Sequence, residues 1–184
     1  MVRLLSIRDA RFAAIPPAIE RAMAHLGDFS TSTVTLAHVL PVRTADIEDL
    51  RTPDFEIADA HGGEARLHIQ ILLDDRPALY ARFKSDGDEG AWVFTEITRS
   101  DHANALAEAI ARLEGDDTMA DADVAVLDIP SHYFRGFILR SPTELQVLPV
   151  IAPAEVELAP TQPVSIARLH AALADSGIGR ERIR

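Results

Sequence analysis

The chain contains no cysteine. That excludes a disulfide-stapled scaffold and any zinc site built on thiolates, and it agrees with a reducing compartment. Lysine is almost missing: one Lys, Lys84, stands against seventeen Arg, and the 18 cationic side chains are outnumbered by 29 Asp and Glu. The net charge of −11 argues against binding a phosphate backbone, which draws its affinity from cations displacing counterions. No window approaches the roughly 20 apolar residues that span a bilayer. Met1 to Ala24 is interrupted by Arg3, Arg8, Asp9, Arg11, Glu20 and Arg21, so it lacks the apolar core of a signal peptide. The glycine pairs Gly62-Gly63, Gly87 with Gly90 and Gly177 with Gly179 match neither a P-loop nor a dinucleotide fingerprint, and no G-x-S-x-G elbow occurs. These absences lead us to expect a cytoplasmic protein with no nucleic-acid partner, no membrane partner and no cofactor.

What is present is patterned for a globular core. A chain of 184 residues suits one domain, and such a domain buries roughly 70% of its unfolded surface. The stretch Val124 to Ile151 holds three apolar runs, VAVLDI, YFRGFIL and LQVLPVI, separated by Pro130-Ser131-His132 and Ser141-Pro142-Thr143. Proline beside Ser or Thr is turn chemistry, so three neighbouring strands are expected, with His132, Tyr133, Phe134 and Phe137 placing the densest packing there. Glu64 to Leu73 alternates Ala65, Leu67, Ile69, Ile71 and Leu73 with Arg66, His68, Gln70 and Leu72, which reads as a half-buried strand. Two further strands, Ala78 to Lys84 and Ala91 to Thr98, complete an antiparallel meander, with Trp92 and Phe94 on the face opposite Val93 and Ile97. Thr33 to Leu40 fits a strand with two buried faces, although periodicity alone also allows a helix.

Three amphipathic helices follow from spacings of three and four. The first carries Ile15, Ile19, Ala22, Met23 and Leu26, with Pro16 and Pro17 in its first turn. The second carries Ala103, Leu106, Ile110 and Leu113, and the third Ile166, Leu169 and Leu173. The expected fold class is therefore α+β: a single domain, 1–184, of antiparallel sheet or sheets covered by about three helices, in the order helix, strands, helix, strands, helix. An extended Pro-rich connection is expected at 152–163 and a mobile basic tail at 179–184. The element order is similar to that of type III secretion chaperones, a likeness of order alone.

Chemistry-bearing residues are scattered. His61, Glu64 and His68 are the candidate metal ligands, since two imidazoles and a carboxylate can fill three positions of a catalytic zinc site. On a strand, however, Glu64 and His68 stand about 13 Å apart, and His68 then belongs on the exposed face. Asp86 and Asp88 begin like a calcium loop, but Ala91 and Ile97 stand where Gly and Glu are needed. Asp128, Ser131 and His132 are the residue types of a hydrolytic triad, yet on an extended segment Ser131 cannot meet His132 while His132 meets Asp128. His132 and Tyr133 can line a pocket mouth, with Arg135 or Arg140 meeting an anion, which makes these four the candidate ligand-binding residues. Eight acids against one base between Asp101 and Asp128 form a solvated face or a docking surface for a basic partner. The leading expectation is a non-enzymatic adaptor, chaperone-like protein or assembly factor, acting on another protein or on itself as a homodimer. The alternative is a pocket protein, binding a small ligand or hydrolysing with metal help through histidines.

Overall fold

A computed structural model of the chain describes residues 2–26, 32–51, 65–86, 91–99, 101–119 and 121–178. The fold is mixed α+β. Its helices are α1 (Ile15–Leu26), α2 (Asp101–Glu114) and α3 (Ile166–Asp175). The strands are β1 (Val34–Thr44), β2 (Arg66–Leu73), β3 (Arg76–Ser85), β4 (Trp92–Arg99), β5 (Asp123–Ile129), β6 (Phe134–Arg140), β7 (Leu145–Ile151) and β8 (Val164–Ser165). They hydrogen-bond in the order β4-β3-β2-β1-β5-β6-β7-β8, an eight-stranded sheet. The sheet is not purely antiparallel as expected, because β1 and β5 pair in parallel. Three strands and α2 lie between those two in sequence, the long return that a parallel pair requires. Short 3₁₀ turns also interrupt the expected element order, at Ala10–Phe12, Ile47–Arg51, Asp117–Met119 and Pro130–His132. The chain groups into two compact units.

The amino-terminal unit comprises Leu4–Pro41 and Asp59–Glu108. Helix α1 starts where Pro16 and Pro17 cost no intrahelical hydrogen bond, and it buries Ile15, Ile19 and Met23. Those side chains join Phe12, Leu67, Ile69, Ile71, Leu79, Ala81 and Phe83 in one core. Strand β2 differs from its half-buried expectation, since Leu67 through Ile71 are all buried. The reason lies in its place: β2 is interior to the sheet, between β1 and β3, and both of its faces are closed. Alternation also misplaces Ile97. The β3–β4 register slips between Arg82 and Phe83, so Phe83 faces Phe94 while Arg82 faces Glu96, leaving Thr95 as the extra residue of a bulge. One extra residue flips every side chain beyond it, and Ile97 packs on the same core as Trp92 and Phe94.

The carboxy-terminal unit comprises Met1–Arg3, Val42–Ala58 and Ala109–Arg184. The three apolar runs form β5, β6 and β7, joined by the 3₁₀ turn Pro130–His132 and a turn at 141–144. Ile138 and Phe134 of β6 pack with Leu127, Ile129, Val147, Leu169 and Leu173. Gly136 of β6 is required by close approach: a Cβ there would stand 2.5 Å from the Leu148 carbonyl oxygen and 3.2 Å from Cζ of Phe134. Ser165 caps α3 by accepting from the Arg168 N–H at 3.2 Å. The Pro-rich connection is more than a spacer, because Val156 and Leu158 are buried in the same core. The basic tail expected at 179–184 lies outside the described residues.

Candidate functional site

Parallel strands release their chains at the same edge of a sheet, and the space beyond their carboxyl ends is where open α/β sheets place ligands. Here Val42, Arg43 and Thr44 of β1 align with Val126, Leu127 and Asp128 of β5. Beyond that edge β1 enters the 3₁₀ turn Ile47–Arg51 and β5 enters the 3₁₀ turn Pro130–His132. The Ala45 N–H donates to the Asp128 carbonyl at 3.0 Å, which ties the two exits together. The Asp46 N–H donates to the Asp49 carboxylate at 2.8 Å and starts the first turn.

At the second turn Pro130 presets φ and His132 folds inward to 6% exposure. This brings Ser131 Oγ to 2.9 Å from His132 Nδ1. The physical reason is that the segment is a 3₁₀ turn, in which neighbouring side chains do not alternate across a sheet. Asp128 meets Arg135 at 2.9 Å, with the two side chains only 17% and 12% exposed. Burial pushes the His132 imidazole below its ordinary pKa, and the Asp46 carboxylate pulls the other way. Burial thus favours the neutral ring, and in the tautomer whose Nδ1 is unprotonated it can accept from the Ser131 hydroxyl.

Tyr133 follows at φ 50° and ψ 30°, its N–H donating to the Pro130 carbonyl at 3.2 Å. A left-handed backbone is uncommon for a bulky side chain. Tyr133 is also 66% exposed, where the aromatic pattern led us to expect a core or pocket residue.

The four candidate ligand residues are not brought to one place. His132 and Tyr133 share the corner, and Arg135 is engaged by Asp128. Arg140 sits opposite Asp123 at the other end of β6, on the order of 20 Å away at ~3.3 Å per residue. Of the candidate metal ligands, His61 and Glu64 lie outside the described residues. His68 is not on an exposed face: it is 3% exposed, with its ring 4.2 Å from that of Tyr80 at 40°. Among the described residues no three His, Asp or Glu are grouped to hold a metal.

Long-range neighbours escaped sequence reasoning. The Asp46 carboxylate comes within electrostatic reach of His132 through the pairing of β1 with β5. Arg51 donates from Nε to His170 Nε2 at 2.9 Å and meets Glu48 at 2.9 Å, a contact spanning 119 residues with no local signature. A concavity of about 240 Å³ is lined by Glu155, Glu157, Arg168, Ala172, Asp175 and Ser176. The acidic stretch is also less free than its composition implies. Asp116 accepts from the Thr118 hydroxyl at 2.6 Å and N–H at 2.8 Å, which hold its carboxyl below the usual range, and Asp123 pairs with Arg3 at 2.9 Å. No helix among the described residues is long and apolar enough to cross a membrane. Compared with known families, characterised proteins and solved structures, the chain matches none.

Proposed function

We propose that this chain is a non-enzymatic, cytoplasmic protein-binding factor, an adaptor or chaperone-like assembly factor working as a homodimer, with the Tyr133 corner as its contact surface. Tyr133 carries the reading. The corner between β5 and β6 needs a left-handed residue after Pro130–His132, a position glycine fills without strain. A tyrosine there is strained by roughly 1–2 kcal/mol and exposes 66% of its surface. Strain kept at an exposed aromatic supports a role in recognition, and tyrosine is among the residues that dominate interface energetics. Sedimentation of the purified protein and of Tyr133→Ala tests this. A wild-type dimer whose dissociation constant rises at least about tenfold in the variant supports it; a strictly monomeric wild type that retains no partner removes its basis.

The Ser131 to His132 contact favours a second reading, a histidine-based pocket with hydrolytic chemistry. A neutral imidazole hydrogen-bonded to a surface hydroxyl is the first half of an activated nucleophile. Stoichiometric labelling of Ser131 by a fluorophosphonate, lost in His132→Gln, would favour that reading over the adaptor. Bound zinc that disappears in His68→Ala would do the same for its metal-assisted form.

A further inference from the structure

Strand β4 ends the sheet order: it pairs with β3 on one side, and among the described residues nothing hydrogen-bonds along the other. The opposite end is treated differently. There β8 is only two residues long, a blunted edge, whereas β4 runs for eight, WVFTEITR, with neither proline nor lysine to discourage pairing. Its apolar side chains are also only partly covered. Trp92, Phe94 and Ile97 pack against the core from half-buried positions, Val93 is 39% exposed, and none of the eight residues is fully buried.

The bulge at Thr95 gives this edge a symmetry. Before it, Trp92 and Phe94 lie on the core face with Val93 and Thr95 on the other; after it, Glu96, ion-paired to Arg82 at 3.0 Å, and Thr98 take the outer face, and Ile97 and Arg99 the core face. The order of faces reads the same from both ends. A bulge ordinarily spoils an edge for pairing. About a two-fold axis between Thr95 and Glu96 it does the reverse, because antiparallel strands need opposed residues on one face and the bulge supplies that match. We infer that β4 pairs antiparallel with β4 of a second copy about that axis, joining the two sheets edge to edge. Trp92 then stands opposite Arg99 of the second copy, Val93 opposite Thr98, Phe94 opposite Ile97 and Thr95 opposite Glu96, each pair occurring twice. Apolar meets apolar, a guanidinium meets an indole ring, and no like charges face each other. Neighbouring registers fail: an axis on Glu96 sets that carboxylate against its own copy, and an axis on Thr95 sets Phe94 against Glu96. This contact is separate from the Tyr133 corner, which belongs to the carboxy-terminal unit; where both operate, two self-contacts link copies into an open chain.

Sedimentation of full-length chains that also carry Tyr133→Ala reads β4 alone. With Val93→Lys and Thr98→Lys together, lysines oppose lysines at two places across the axis, and self-association should weaken at least about tenfold. With Val93→Lys and Thr98→Glu the same two sites form opposed ion pairs, and association should be retained. Positions 93 and 98 of one chain stand about 16 Å apart along the strand, so only a second copy can tell the two variants apart. Without any change in β4, its amides turned away from β3 should gain hydrogen-exchange protection as protein concentration rises. Dimers that persist in Tyr133→Ala and follow the charges in this way support the proposal. A strictly monomeric Tyr133→Ala chain overturns it while leaving the Tyr133 reading in place. Equal association by the two double variants, or β4 protection that ignores concentration, overturns it as well.

Discussion

Among the described residues each compact unit hides one histidine, and the two are held in different ways. His68 sits mid-strand on β2, 3% exposed and packed on the Tyr80 ring, in a row whose neighbours Gln70 and Tyr80 are also buried. His132 sits in a turn at the end of β5, 6% exposed, with a surface serine on its Nδ1 and a carboxylate nearby. A polar ring closed into an interior strand contributes shape and packing. The same ring at a corner lies beside an exposed serine and an exposed tyrosine, so it sits closer to solvent. The corner, not the strand, is therefore the place to look for function.

Substitutions can break or sharpen this contrast. The largest effect should come from the packing that supports the corner: Phe134→Ala, at 1% exposure, should lower stability by about 3–5 kcal/mol in urea titration. A loss similar to that of an exposed site would mean the corner is not rigidly supported. Gly136→Ala should follow at about 1–3 kcal/mol, because the backbone oxygen of Leu148 must move to admit a methyl group. Next comes the His132 titration. Its folded-state pKa is depressed, so the unfolded chain takes up the proton first; the associated stability is complete above about pH 6.5 and lost as pH falls through the lower folded value. Chemical denaturation across that range should show the slope in wild type and a flatter one in His132→Gln. Smallest is Asp116→Asn, a slight loss at neutral pH from weaker hydrogen bonds to Thr118. Its carboxyl is also depressed, so that loss should vanish as pH falls below the ordinary carboxylate value, a difference readable by thermal melting at two pH values.

Local signals explain why some of this could be read in advance. The helices α1 and α3 follow from apolar spacing, with Pro16-Pro17 in the first turn of α1, and β5, β6 and β7 from apolar runs cut by Pro130 and Pro142. What stayed hidden depends on partners far along the chain. The parallel pairing of β1 with β5 sets Asp46 near His132, and nothing in either segment announces it. The bulge at Thr95 reverses the side assigned to Ile97 because one extra residue shifts a period of two. Polarity points His68 toward solvent, whereas its position on an interior strand buries it. Its aromatic bulk suggests a core or a pocket mouth for Tyr133, whereas the left-handed turn leaves it 66% exposed.

The most direct test is Tyr133→Gly, read twice on the same preparation. Relief of the left-handed strain should raise unfolding stability by about 1 kcal/mol, while sedimentation shows self-association weakened at least about tenfold. A variant that is more stable and associates as tightly as wild type would contradict the claim that this tyrosine is kept for binding.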